Sequence, residues 1–322
     1  MNGGAPTSAS GPADDPAGGR PANRLGPQRR VGRGAAWAFL PVLSMLPFSV
    51  LALAIIWLPL WPTTSIPFWW VLLAFAATGP LLFVRPFQVA VLTPILGARA
   101  PTQAEAEAIR PLWNEVIHAA GRQGVPAGAR YVVRILPSEE LNAFACGGHL
   151  VVVTSYAVER LPPDELRGVL AHELGHHLGL HTVATTIVHW LSAPVVLFAR
   201  FGFFLERVAV ASAESFGRRH PIVEAFSRVG AMLMHGFGLL FSSGLRAADA
   251  LTNLVGHDAE FEADRRAVSM GFGEELSAAL RRLVADGGGV RRRGWRARLA
   301  ASHPAARTRI ARIEALRRHP SA

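Results

Sequence analysis

The sequence predicts a mainly α-helical protein with a small antiparallel sheet, preceded by a transmembrane helical hairpin. Three observations predict it. Two apolar segments without a charged residue lie early, at about Trp37–Trp61 and Pro67–Val84. Two β-type runs, Tyr131–Ile135 and His149–Val153, flank a turn-forming pair, Gly147-Gly148. The segment holding His172-Glu173-Leu174-Gly175-His176 reads as an amphipathic helix.

Composition bounds the class. The 322 residues are 50% hydrophobic and only 17% charged, more apolar than an ordinary soluble enzyme. The net charge is +10 and every basic side chain is arginine. Such an excess suits nucleic acid or an anionic membrane surface. The arginines of 281–298 and 306–318 read as solvated faces or lipid-headgroup contacts and the chain carries no nucleic-acid motif, so the lipid bilayer is the expected partner and nucleic acid is not. Cys146 is the single cysteine, which rules out an internal disulfide and fits a reducing compartment.

Taken in order, residues 1–34 are rich in Gly, Pro, Ala, Ser and Arg and are expected to be disordered. Residues 35–86 form the expected hairpin, since about 20 apolar residues cross the hydrocarbon core. Trp57, Trp61, Trp69 and Trp70 cluster at its turn, where an interfacial aromatic belt belongs. Pro41, Pro47 and Pro59 predict kinks in the first span. Arg20, Arg24, Arg29, Arg30 and Arg33 precede the hairpin, and Arg85 and Arg99 follow it. The positive-inside rule therefore puts both ends in the cytoplasm, giving a multi-pass protein of the cell (inner) membrane with its main domain cytoplasmic.

Residues 100–322 form that domain. Thr102 and Glu105 read as a capping box opening a helix to about Gly121. The strands follow, with Asn142–Gly148 between them. Pro162-Pro163, then Asp164 and Glu165, mark the start of a helix over about 163–180. Leu166, Val169, Leu170, Leu174 and Leu178 give it an apolar stripe. Two more apolar stretches, 182–205 and 229–245, are either a second membrane hairpin or buried helices. The arginines Arg207, Arg218, Arg219 and Arg228 between them argue against crossing. The count, two spans or four, stays open, as does the oligomeric state.

The chemistry centres on the helix at 163–180. Residues four apart on a helix share a face, so His172 and His176 aim two imidazoles at one metal ion. Glu173 beside them is placed as a general base toward water held by that metal. One Zn2+ per chain is expected, and a catalytic zinc usually takes three protein ligands. In one reading Gly179 continues the pattern H-E-x-x-H-x-x-G-x-x-H, but Thr182 stands where it requires histidine and His181 comes one residue early. In the other, Glu260 supplies the ligand and Asp264, four residues on, hydrogen-bonds a ligand histidine or contacts the reacting group. Glu262 is the rival ligand. His177, His181, His189 and His235 read as packing or interfacial histidines.

Several segments occur in order: Asn142-Ala143-Phe144-Ala145, Glu165 to His177, Glu260-Phe261-Glu262-Ala263-Asp264, and His303-Pro304 followed by Arg309-Ile310. Together they resemble the HtpX-like and type I CAAX prenyl protease family of membrane zinc metallopeptidases. The resemblance implies an α+β, zincin-like metalloprotease domain. It implies zinc held by His172, His176 and Glu260, with Glu173, Asp264 and His303 as catalytic residues. It places Asn142 beside bound substrate and maps Arg309 to the same site. An interior arginine needs a partner, so pairing of Arg309 with an active-site carboxylate is preferred to substrate contact. The implied function is a zinc-dependent endopeptidase, acting on peptide or protein substrates at the membrane, for membrane-protein quality control. The rival is a non-enzymatic membrane adaptor or sensor with a metal-stabilised fold.

Overall fold

The computed structural model describes residues 37–123, 131–179, 181–216, 221–285 and 306–319. The expected disordered tail and His303 lie outside the described residues. Helix α1, Leu40–Trp57, is followed by a ten-residue connection that holds the short helical turn Trp61–Thr64, and then by α2, Phe68–Thr78. Pro47 sits inside α1, while Pro59 falls just beyond its end. Trp57 and Trp61 pack together at the turn, and Trp69 stacks on Trp70 with ring centroids 4.2 Å apart.

The expected second span, Pro67–Val84, ends at a sharp bend. The chain turns extended at Val84, and the helical pieces before and after it, Phe68–Phe83 and Arg85–Ile95, are bent by 87°. Pro80 and Pro86 each remove a helical N–H donor on either side of the bend, which makes a break there cheap.

Helix α3, Gln103–Arg122, opens with the expected capping box: Glu105 N–H donates to Thr102 Oγ1 and Thr102 N–H donates to Glu105 Oε2. Three strands follow, β1 (Val132–Leu136), β2 (Ala143–Cys146) and β3 (Leu150–Thr154). Their order is β1-β3-β2, with β2 antiparallel to β3 and β1 parallel to it. The sheet is therefore mixed, not antiparallel. The hairpin at Gly147-Gly148 fixes β2 beside β3, and β1 takes the other side, which leaves β2 at an edge.

Short α4, Ser155–Arg160, leads to α5, Pro163–His177. Helix α6, His181–Phe216, and helix α7, Pro221–Ser269, then form a long pair. Pro194 lies inside α6 without ending it. Helices α8 (Gly273–Ala285) and α9 (Ala306–Arg318) complete the chain.

Two main apolar cores result. One joins Val116 of α3, Val151 and Val153 of β3, Leu170 and Leu174 of α5, Leu276 of α8 and Ile313 of α9. The other joins Met45 and Ala52 of α1 with Val188, Leu191 and Val195 of α6 and Phe241 and Ala248 of α7. By length and composition α1 and α6 are each able to cross a bilayer, and the bent pair would make a third crossing if it forms one span.

Candidate metal centre

Helix α5 starts where proline and two acids predict. Pro163 occupies the first turn, and Asp164 and Glu165 face the positive end of the helix dipole. Its apolar stripe is buried, so the opposite contacts are dictated: His172, Glu173 and His176 are buried against α7. On α7, Glu260 and Asp264 share one face and are buried too.

Glycine makes the approach of the two ligand helices close. A Cβ on Gly175 would stand 2.9 Å from the Ala263 carbonyl oxygen and 3.1 Å from Ala263 Cα. The same device at Gly168, whose Cβ would stand 2.6 Å from the Glu275 carbonyl carbon, seats α8 on α5. Arg266 adds a clamp by donating to the Gly175 carbonyl at 2.7 Å. Sequence reading missed the packing role of the two glycines. The available signal was a glycine within a helix, which costs about 1 kcal/mol and so implies a packing reason.

Three side chains converge. His172 Nε2 and His176 Nε2 are 3.1 Å apart. Glu260 Oε1 lies 3.1 Å from His176 Nε2, and its Oε2 lies 3.4 Å from His172 Nε2. A tetrahedral zinc with bonds of about 2.0–2.1 Å separates two nitrogen donors by roughly 3.3 Å, so the cluster has the right spacing and donor chemistry. Among the described residues this is the one such group of His, Cys, Asp or Glu. The rival ligands are placed elsewhere. Glu262 pairs with Arg265 and Arg266, and the Thr182 hydroxyl donates to the His176 carbonyl at 3.0 Å, closing the end of α5.

Asp264 orients the first histidine. Its Oδ1 lies 2.9 Å from His172 Nδ1, which makes that nitrogen the donor and turns Nε2 toward the cluster. Arg309 also holds Asp264, with Nη2 donating to Oδ1 at 2.6 Å and Nε to Oδ2 at 2.9 Å, and the same Nη2 lies 3.2 Å from His172 Nδ1 and Nε2. Its Nη1 also lies 3.1 Å from Glu260 Oε2. Arg309 is buried, so its guanidinium sits in a carboxylate clamp and not on an open substrate surface. Glu173, Glu260 and Asp264 against Arg309 leave this buried group with an excess of negative charge, which a divalent cation would neutralise.

The electrostatics follow. Burial and the Arg309 charge oppose protonation of His172, but hydrogen bonds to Asp264 and Glu260 outweigh them and raise its pKa. A cation seated here therefore competes with a proton. Burial alone would raise Asp264, yet His172 and Arg309 hold it below the usual carboxylate range. Burial pushes His177 down to about 4, and its Nε2 lies 3.0 Å from the Leu150 carbonyl, so it serves packing. Asn142 lies just before β2 and is half-buried. Its main chain is tied to Thr154, which accepts from Asn142 N–H and donates to Asn142 C=O.

Residues 103–317 match the profile of Peptidase family M48. The chain is 33% identical over 196 residues to Protease HtpX of Pseudomonas fluorescens strain Pf0-1, covering 58% of this chain and 64% of that one. It is 35% identical over 162 residues to Protease HtpX of Pseudomonas savastanoi pv. phaseolicola, covering 48% and 50%. The matched regions thus span half to just under two thirds of these curated relatives. The crystal structure of S. mikatae Ste24p matches with a TM-score of 0.47 at 19% identity, covering 81% of this chain and 61% of that chain.

Proposed function

The chain belongs to peptidase family M48, and on that premise we propose that it is an integral-membrane, zinc-dependent endopeptidase. The observation that carries the reading is the convergence of His172, His176 and Glu260 beside a buried Glu173. A purely structural metal site has no need of that additional carboxylate.

When bound, zinc polarises the scissile carbonyl and makes water acidic near neutral pH. The side chains do the rest. His172, His176 and Glu260 hold the ion. Asp264 keeps the His172 Nδ1 proton in place so that Nε2 offers its lone pair. Arg309 fixes Asp264 by a two-point contact. Glu173 takes the proton of the attacking water and gives it to the leaving amine. Strand β2 lies at the edge of the described sheet, and an extended peptide adds there as a further strand, with Asn142 at its entry. His303 completes the proposed set as a donor to the tetrahedral intermediate.

The proposed setting is the cell (inner) membrane, with the metal domain on the cytoplasmic side and membrane-protein quality control as the task. The relatives' name, protease, supports the reaction class. The test is metal analysis with proteolysis of casein by the detergent-solubilised protein. One zinc per chain and activity that disappears on chelation and returns with zinc are expected. Glu260→Ala should lose the metal, and full zinc occupancy in that variant would remove Glu260 from the ligand set.

A further inference from the structure

The stretch after α2 does more than leave the bilayer. Beyond its bend it lies across the face of the sheet that points away from α5. Leu92, Leu96 and Ala98 pack there on Leu150, Val152, Phe144 and Cys146. Gln88 opens a π-helical turn in this stretch, Gln88–Leu92, and is only 1% exposed. Such turns are rare and are frequent at functional sites. The Gln88 Nε2 donates to the Leu82 carbonyl at 2.6 Å, back across the bend. Its Oε1 is buried and has no hydrogen-bond partner among the described residues.

The amide of Gln88 rests on the tip of the β2–β3 hairpin. Gly147 has a φ of +63°, and a Cβ there would collide with Gln88 Nε2 and stand 2.8 Å from its Cδ. From the other side Gly147 N–H donates to Thr186 Oγ1 of α6 at 3.1 Å. One end of the edge strand is thereby gripped between two apolar elements, the bent segment and α6.

We infer that Gln88 is a positioning residue that sets the register and height of β2 for the substrate main chain. This rests on the peptidase reading, in which β2 receives the peptide. The clamp ties the placement of substrate to the placement of the bent segment, so the edge strand follows that segment wherever it is seated. A misplaced edge weakens pairing with substrate in the ground state and the transition state alike, which raises KM more than it lowers kcat.

The test uses full-length protein carrying Gln88→Ala, Gly147→Ala or both, with zinc content, hydrogen exchange and cleavage of a fluorogenic casein peptide as readouts. Gln88→Ala should keep its zinc and the slow exchange of α5. Amides of 143–147 should exchange roughly tenfold faster, and KM should rise about tenfold with kcat within about threefold, the scale of one lost alignment. Gly147→Ala alone should be worse, and adding Gln88→Ala should recover part of the loss because the new Cβ then has room. Unchanged exchange in β2, equal loosening of α5, or additive effects in the double variant would overturn the inference. Wild-type protein that cleaves nothing would count against the peptidase reading, and the exchange result would still confirm or overturn the clamp.

Discussion

Asp264 accepts from both His172 and Arg309, so a single carboxylate sets both the tautomer of a proposed ligand and the seat of a buried cation. Asp264→Asn should therefore keep the fold but weaken zinc binding about 10- to 100-fold, measured by competition with a chromophoric chelator. Affinity equal to wild type would show that His172 needs no such partner. Arg309→Met leaves buried carboxylates without their cation and should destabilise the protein by about 3 kcal/mol in chemical unfolding. The acid pair on one helix face was legible from its i,i+4 spacing alone. The Arg309 contact was legible only as a need, because the sequence says that an interior arginine requires a partner without saying which carboxylate it reaches.

Helix packing decides whether those residues meet. Gly175→Ala pushes α7 away from α5 at the ligand level, and Gly168→Ala pushes α8 away from the same helix a turn or two earlier. Each should cost about 1–3 kcal/mol as overpacking. Only the first should also lower zinc affinity, and an equal fall in both variants would contradict the assignment. The start of α3 gives a pH test. The Arg99 hydrogen bond, against some burial, and the Thr102 main chain hold Glu105 at about 2, below its usual 4.5. A lowered folded pKa stabilises the folded state above the unfolded value and loses that contribution as pH falls. Glu105→Gln should thus be less stable than wild type by about 1 kcal/mol at pH 7, and the gap should close between about pH 4.5 and 2 in thermal unfolding.

Caps and periodicity made α3 and α5 readable, since both signals are local. Strand partners are not local. The parallel pairing of β1 with β3 depends on which side of the hairpin remains to be covered, and no residue in Val132–Leu136 encodes it. The bend at Val84 falls where the apolar segment ends, and apolar composition says nothing about the path of the chain beyond it. Pro194 lies inside α6, yet the neighbouring helices α1 and α7 pack about this stretch and the helix continues.

Across the whole molecule the proposed ligand set constrains topology. His176 precedes α6 and Glu260 lies near the end of α7, yet their side chains are 3.1 Å apart. If α6 crosses the bilayer, α7 must cross back. Both helices are long enough, at roughly 54 Å and 74 Å for 36 and 49 residues. The tip between them should then face away from the metal domain. With Cys146→Ser as background, Ala225→Cys near the tip should react with an impermeant maleimide on intact cells, and Ala315→Cys in α9 only after permeabilisation. Labelling of both, or neither, without permeabilisation would contradict this arrangement. The arginines Arg207 and Arg228 near the tip run against the positive-inside rule, so this measurement sets side-chain charge against helix length.

The central claim is that Glu173 does chemistry at a metal it does not hold. Zinc content and casein cleavage measured together on purified Glu173→Gln test it most directly. One zinc per chain with cleavage reduced at least about a hundredfold is the result expected for a lost general base. Cleavage at the wild-type rate with zinc retained would contradict the account.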